Sequence, residues 1–221
     1  KLVAGIDEAG RGCVFGPLVM CAYAHDSESE LKARGVKDSK VLSPEVRERL
    51  ADELRKEGAF ELSAISAVEI TERMRGKTSL NELEALHASA LLHKLSKRVA
   101  LERVVVDSPD PVPSKFETRI RKYFDHDFPI ACLNHADRDH PIVGAASIIA
   151  KSEREKELEK IKALIRRTGI KAELGSGYSH DAVTIAFLER YSGEGFLQEF
   201  IRHEWSTAKR FNTGGGLNDF L

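Results

Sequence analysis

The sequence is short of the features that mark secreted, membrane-bound or strongly charged proteins. Its 221 residues include three cysteines, Cys13, Cys21 and Cys132, odd in number, widely spaced and without a CxxC pair. That argues against a disulfide framework and predicts reduced thiols in a cytoplasmic protein. Net charge is lacking too. Thirty-four basic residues against 35 acidic ones leave −1, so bulk electrostatics select no partner, and a nucleic-acid face must concentrate positive charge locally. No apolar run approaches a membrane span and no secretory core is visible, so no membrane contact is expected. Internal repeats are absent, and so are low-complexity tracts ahead of the tail.

What is present is ordinary in bulk and specific in pattern. Forty-two per cent hydrophobic and 31% charged residues suit one large globular domain, with or without a small appendage. Strand-length apolar runs at Leu2–Ile6, Val14–Ala24 (broken by Gly16-Pro17), Phe60–Ala67, Arg103–Asp107 and Phe128–Leu133 alternate with helical spacings. Ser43-Pro44 starts a helix whose apolar face is Val46, Leu50 and Leu54 and whose stop is Gly58. Further helical patterns run from Thr78 to Lys97, through Phe116, Ile120 and Phe124, and from Pro141 to about Arg167 with Leu158, Ile161 and Ile165 on one stripe. The chain beyond Gly169 reads as helix and loop. This is an α/β protein with a C-terminal helical extension.

The acids carry the chemical signal. Asp7 and Glu8 follow the first strand, Asp107 ends a later one, and Asp137 lies just after another, in "NHADRDHP". Strand ends of α/β sheets hold functional groups rigidly while leaving them open. Carboxylates gathered there repel one another unless a cation sits between them. Hard oxygen ligands favour Mg²⁺ or Mn²⁺ over zinc, and two such ions about 4 Å apart clamp both oxygens of an in-line phosphodiester hydrolysis. The bland reading makes each acid a helix cap or a surface ion pair, and spacing alone does not show that the four meet.

The ordered set "GIDEAGRGCVFGPL", "VKDSKVLS", "VVVDSPD", "HADRDHPIVGAASIIAK", "GSGYSHD" and "RHEWSTA" resembles type 2 ribonucleases H (ribonuclease HII) of the archaeal and eukaryotic kind, over nearly the whole chain. The resemblance implies an RNase H-like mixed sheet flanked by helices. It divides the chain into a catalytic domain over 1–168, a helical extension over 169–211 carrying the GSGY loop, and a flexible tail over 212–221. It implies an endonuclease that hydrolyses RNA in RNA–DNA hybrids and cuts 5′ of a lone ribonucleotide in duplex DNA, leaving 3′-hydroxyl and 5′-phosphate ends. Asp7, Glu8, Asp107 and Asp137 fall on the family's catalytic, metal-holding acids. Asp7 then lies between two ions, Mg²⁺ or Mn²⁺, with Asp107 and Asp137 on one each; water is the nucleophile. Asp139 is the one competitor for the role of Asp137.

Two adjacent acids followed by Gly10-Arg11-Gly12 now have a common explanation. A ribonucleotide is recognised by its 2′-hydroxyl, which both donates and accepts, and small glycines let backbone approach a sugar closely. Arg11 is placed to hold the scissile phosphate. By the same resemblance Tyr178 packs against the next sugar, Lys40 and Lys151 contact phosphates, and Asn81 approaches the DNA strand. Some positions depart from the family. His135 stands where lysine is usual and His140 where tyrosine is common, and the stretch after GSGY lacks the usual prolines, which predicts a looser loop. A zinc site through His135, Asp139 and His140 is disfavoured. In the tail, three glycines precede Leu217, Phe220 and Leu221, a spacing similar to sliding-clamp peptides of archaeal DNA-processing enzymes, with Gly214 where glutamine is usual. The expected partners are therefore hybrid or ribonucleotide-containing duplexes and a sliding clamp, the protein itself acting as a monomer. A type 3 ribonuclease H and a non-catalytic hybrid-binding module are the alternatives.

Overall fold

The computed structural model describes residues 1–36 and 42–212. Five strands, β1 (Leu2–Ala9), β2 (Leu18–His25), β3 (Ala59–Ile65), β4 (Leu101–Asp107) and β5 (Ile130–Leu133), form one mixed sheet in the order β3-β2-β1-β4-β5. The first three are joined antiparallel, while β4 and β5 run parallel to β1. The parallel half follows from connections long enough to hold helices. It also brings the carboxyl ends of β1, β4 and β5 to the same edge.

Strand alternation divides the sheet between two cores. Ala4, Ile6, Val104 and Val106 pack beneath α3 (Ala67–Arg75), α4 (Leu80–Arg98) and α5 (Pro113–Tyr123). Val19, Cys21, Tyr23 and Val105 pack on the opposite face against α1 (Glu28–Ala33), α2 (Pro44–Glu57) and the first half of α7 (Pro141–Arg167). Serine caps set the starts of α2, α3 and α4: the hydroxyls of Ser43, Ser66 and Ser79 each accept the N–H three residues on. At Gly5 the sheet touches α7 backbone to backbone, since a Cβ there would lie 2.5 Å from the Ile142 carbonyl oxygen.

A third apolar cluster joins Val14 and Phe15 to Leu158, Ile161 and Ile165 of α7 and to Phe187, Leu188, Leu197 and Ile201. The last four come from α8 (Ala182–Tyr191) and from a 3₁₀ turn at Gly195–Phe200 and its exit, ahead of α9 (Ser206–Asn212). The run Val14–Ala24 is divided at Gly16-Pro17, where its sequence breaks. Val14 and Phe15 belong to a loop that pairs elsewhere, and β2 starts only after Pro17. The strand expected to reach Ala67 stops at Ile65, where Ser66 caps α3. Among the described residues no helix is long and apolar enough to cross a membrane.

Candidate active site

The site is built on the carboxyl edge of β1 and β4. Ile6 lies opposite Val106 in the parallel register, so the next residues, Asp7 and Asp107, emerge side by side. Asp7 points to the α7 face with Gly5 and Ala9, whereas alternation turns Glu8 towards α4. The DE pair thus straddles the sheet edge. The Glu8 N–H donates to Asp7 Oδ1 at 2.7 Å, which fixes the first carboxylate against its own strand.

Asp137 arrives by a different device. His135 takes a left-handed conformation, φ 58°, and opens the four-residue helix α6 (Ala136–Asp139). The N–H of Ala136 donates to Asp107 Oδ1 at 2.6 Å, so the aspartate that ends β4 also anchors the turn presenting the adjacent residue, Asp137. Both Asp7 and Asp137 are buried, at 5% and 7% exposure. Asp139, the competitor for that role, lies on the same turn and is exposed.

The electrostatics are those of acids without enough counter-charge. Burial pushes the Asp7 carboxyl up to about 7, the neighbouring Asp107 charge adds to the rise, and Ser147 and Lys151 of α7 draw it down. Glu8 is raised well above the usual range by burial, then by Asp7, Glu84 and Asp107, with Arg11 opposing. An all-oxygen cluster of this kind fits a hard divalent cation. The carboxylates adjoin rather than enclose: among the described residues no three His, Cys, Asp or Glu groups surround a single metal position. Mg²⁺-type ions are commonly held by one or two carboxylates together with a substrate's phosphates, which suits an open edge.

The Gly10–Gly12 loop leaves β1 beside these acids and is fastened from three sides. Gly10 has φ +84°, and a Cβ there would lie 2.3 Å from Arg154 Nε. Buried Arg154 donates from Nη2 to the Ser176 carbonyl at 2.7 Å and to Cys13 Sγ at 2.9 Å. Fully buried Arg202 donates to the carbonyls of Gly16 and Arg11, each at 3.0 Å. Arg11 itself turns to α4, giving Nε–H to Glu84 and Nη2–H to Asn81.

Tyr178 meets this loop directly. Cys13 and Tyr178 form a β-bridge, Val14 N–H donates to the Gly177 carbonyl at 2.9 Å, and the Ser179 hydroxyl donates to the Gly12 carbonyl at 3.3 Å. The Arg154 guanidinium lies 5.0 Å from the Tyr178 ring centre. The looser loop expected after GSGY is not observed. Asp181 accepts from the Ser176 N–H and hydroxyl and from Thr184, and its carboxyl is held well below the usual range, chiefly by the Ser176 N–H. A carboxylate cap replaces the stiffness that prolines would have given.

A groove of about 600 Å³ runs from the end of β1 along α7, lined by Ala9, Arg47, Lys151, Arg154, Lys162 and Tyr178 among others. The structure thus brings Asp7, Glu8, Asp107 and Asp137 to one edge and Gly10, Arg11, Gly12, Lys151 and Tyr178 around it. Asn81 reaches the site through Arg11. Lys40 and the tail residues Leu217, Phe220 and Leu221 lie outside the described residues. Sequence reasoning passed over Glu84, Arg154, Arg202 and Ser147. Ser147 and Arg154 could have been found, because the α7 stripe of Leu158, Ile161 and Ile165 continues back through both at helical spacing.

Comparison with known proteins places the chain among close structural counterparts. The ribonuclease HII family profile matches residues 4–208. Ribonuclease HII of Archaeoglobus fulgidus is 38% identical over 217 residues, covering 98% of this chain and 99% of that protein. The crystal structure of ribonuclease H2 from Pyrococcus horikoshii superposes with a TM-score of 0.83 at 37% identity, over 96% of this chain and 98% of the other. The ribonuclease HII in the A. fulgidus complex with PCNA superposes with a TM-score of 0.81 at 37% identity, over 93% and 95%.

Proposed function

The chain belongs to the ribonuclease HII family, and from that premise we propose that Asp7, Glu8, Asp107 and Asp137 are its catalytic acids and Gly10–Gly12 with Tyr178 its ribose reader. The protein is an endoribonuclease, a hydrolase acting on RNA–DNA hybrids. The observation that carries the site assignment is the adjacency of Asp7 and Asp107 on parallel strands, with Asp107 also anchoring the turn of Asp137.

The four acids would hold divalent cations, Mg²⁺ or Mn²⁺, two of them during turnover. When bound, such ions supply positive charge to the attacking water and to the departing oxygen of the phosphodiester. The chain's own residues do the rest. Asp7, raised by burial and by Asp107, gains from any cation that enters. Lys151 and Arg154 line the groove through which a phosphate backbone approaches. The loop amides and carbonyls near Gly10–Gly12 face the sugar, where a 2′-hydroxyl offers both a donor and an acceptor. Tyr178, backed by Arg154, closes the far side of that sugar.

The test is cleavage of duplex DNA containing one internal ribonucleotide, with Mg²⁺ or Mn²⁺, followed by end mapping. A metal-dependent cut on the 5′ side of the ribose, leaving 5′-phosphate, is expected. Cleavage of long hybrids alone would remove the reader assignment and favour a type 3-like specificity. Binding without turnover on any substrate would leave only a hybrid-binding fold.

A sliding clamp is the proposed protein partner. The A. fulgidus relative was solved with PCNA, and the glycine spacer followed by Leu217, Phe220 and Leu221 has the chemistry of a short apolar docking turn. Deleting 217–221 is expected to abolish clamp binding in calorimetry and to leave cleavage of short duplexes untouched; unchanged clamp affinity would locate the contact elsewhere.

A further inference from the structure

Glu84 is the acid that neither the carboxylate edge nor the fold explains. It is fully buried in α4, among Leu83, Ala85, Ala88 and Leu91. Burying a carboxylate at an apolar helix position costs several kcal/mol unless it is paired, and a buried pair is often no more stable than apolar residues of the same size. Burial accordingly pushes the Glu84 carboxyl up to about 7, against the pull of Arg11.

Its partner is the arginine of the reading loop. Arg11 Nε lies 3.0 Å and 3.2 Å from the two Glu84 oxygens, and Arg11 Nη2 lies 2.6 Å from Asn81 Oδ1. Asn81 and Glu84 stand three residues apart, on one face of the helix. From the opposite direction Arg202 grips the Arg11 carbonyl. The guanidinium is thus fixed along one edge, yet 37% of the Arg11 side chain remains exposed. Two of its five N–H donors are used by Glu84 and Asn81, and no hydrogen bond to another of the described residues engages the rest, which lie towards the open side of the loop.

We propose that Glu84, assisted by Asn81, is a positioning residue: it presets the Arg11 guanidinium so that its remaining donors meet the nucleic-acid backbone beside the ribonucleotide. Fixing the side chain before binding removes the entropy loss that a free arginine would incur on contact. Glu84 touches no substrate and acts only through Arg11. The inference rests on reading Gly10–Gly12 as the ribose-reading loop.

The experiment compares kcat/KM on the single-ribonucleotide duplex and on a long RNA–DNA hybrid, well below the melting temperature, for wild type, Glu84→Gln, Asn81→Ala, Arg11→Ala and Arg11→Ala with Glu84→Gln. Glu84→Gln is expected to lower kcat/KM on the single-ribonucleotide duplex about tenfold to a hundredfold, the worth of a charged hydrogen-bonded contact, mainly through KM. Asn81→Ala follows in the same direction with a smaller loss. In the Arg11→Ala background, Glu84→Gln is expected to add less than about threefold, because its only route of action is already gone. Full multiplication of the two losses would overturn the inference and make Glu84 a core support. Wild-type rates in both Glu84→Gln and Asn81→Ala would overturn it as well. Should Glu84→Gln fail to fold, Asn81→Ala with and without Arg11 completes the same cycle. Failure of the underlying reading is visible separately, as a wild-type protein that cuts the hybrid and spares the lone ribonucleotide.

Discussion

Asp7→Asn is expected to lower cleavage by at least about 10³-fold while making the metal-free protein more heat-stable at pH 8. The rate loss follows from removing charge that holds cations worth several kcal/mol to the transition state, at roughly 1.4 kcal/mol per factor of ten. The stability gain has the opposite origin. Burial and the Asp107 charge raise the folded-state carboxyl from 3.8 to about 7. Below the lower value both states are protonated and the site costs nothing. Between the two values only the unfolded chain ionises, so stability falls as pH rises. Above 7 the full cost is present, at most about 4 kcal/mol. The asparagine does not ionise, so its melting temperature should exceed that of wild type by several degrees at pH 8 and match it near pH 4. Calorimetry with and without Mg²⁺ checks this, because bound cation should erase the difference. Asp107→Asn should lose activity to the same extent and still bind hybrid, since an amide oxygen can accept the Ala136 N–H. Near-normal turnover of either variant would remove that residue from the catalytic set.

Gly10→Ala is expected to be nearly as damaging, through geometry rather than charge. Its φ of +84° is costly for any residue with a Cβ, and the added carbon would lie 2.3 Å from Arg154 Nε and 2.9 Å from the Pro17 carbonyl. Left-handed backbone costs about 1–2 kcal/mol by itself, and buried Arg154 is already committed to Ser176 and Cys13. The loop must shift and carry Arg11 and Gly12 with it. A melting-temperature drop of several degrees and a loss of single-ribonucleotide cleavage of about a hundredfold or more should follow, measured on the two substrates in parallel. Wild-type discrimination in this variant would show that the loop conformation is irrelevant to reading sugar.

How legible the molecule was in its sequence depended on the range of the interactions. The helix expected from Pro141 to about Arg167 is observed over Pro141–Arg167, because a proline start and a long apolar stripe are local signals. The start of α2 at Ser43-Pro44 and its stop at Gly58 were readable for the same reason. α1 was not: it is six residues long and buries only Leu31, so it shows no periodicity. β1 was read to Ile6 but runs to Ala9, since two acids do not look like strand until a partner strand accounts for them. The four carboxylates were visible as strand-end acids. Glu84 and Arg202 were not, because their partners lie 73 and 186 or 191 residues away in sequence, and nothing in a helix or a terminal segment announces such a partner.

That distance sets an order of events during synthesis. By the time the ribosome has passed Asp137, every member of the carboxylate edge exists. The reading loop, made among the first residues, still lacks its clamp. Arg154 comes later on α7, Tyr178 later still, and Arg202 only near the end of the described chain. A nascent or prematurely terminated product would thus hold the four acids without the clamp on the loop, and the third apolar cluster that joins α7 to Phe15 would be missing from it too. In the proposed reading, the clamp on the reading loop and the third apolar cluster thus depend on the same late residues.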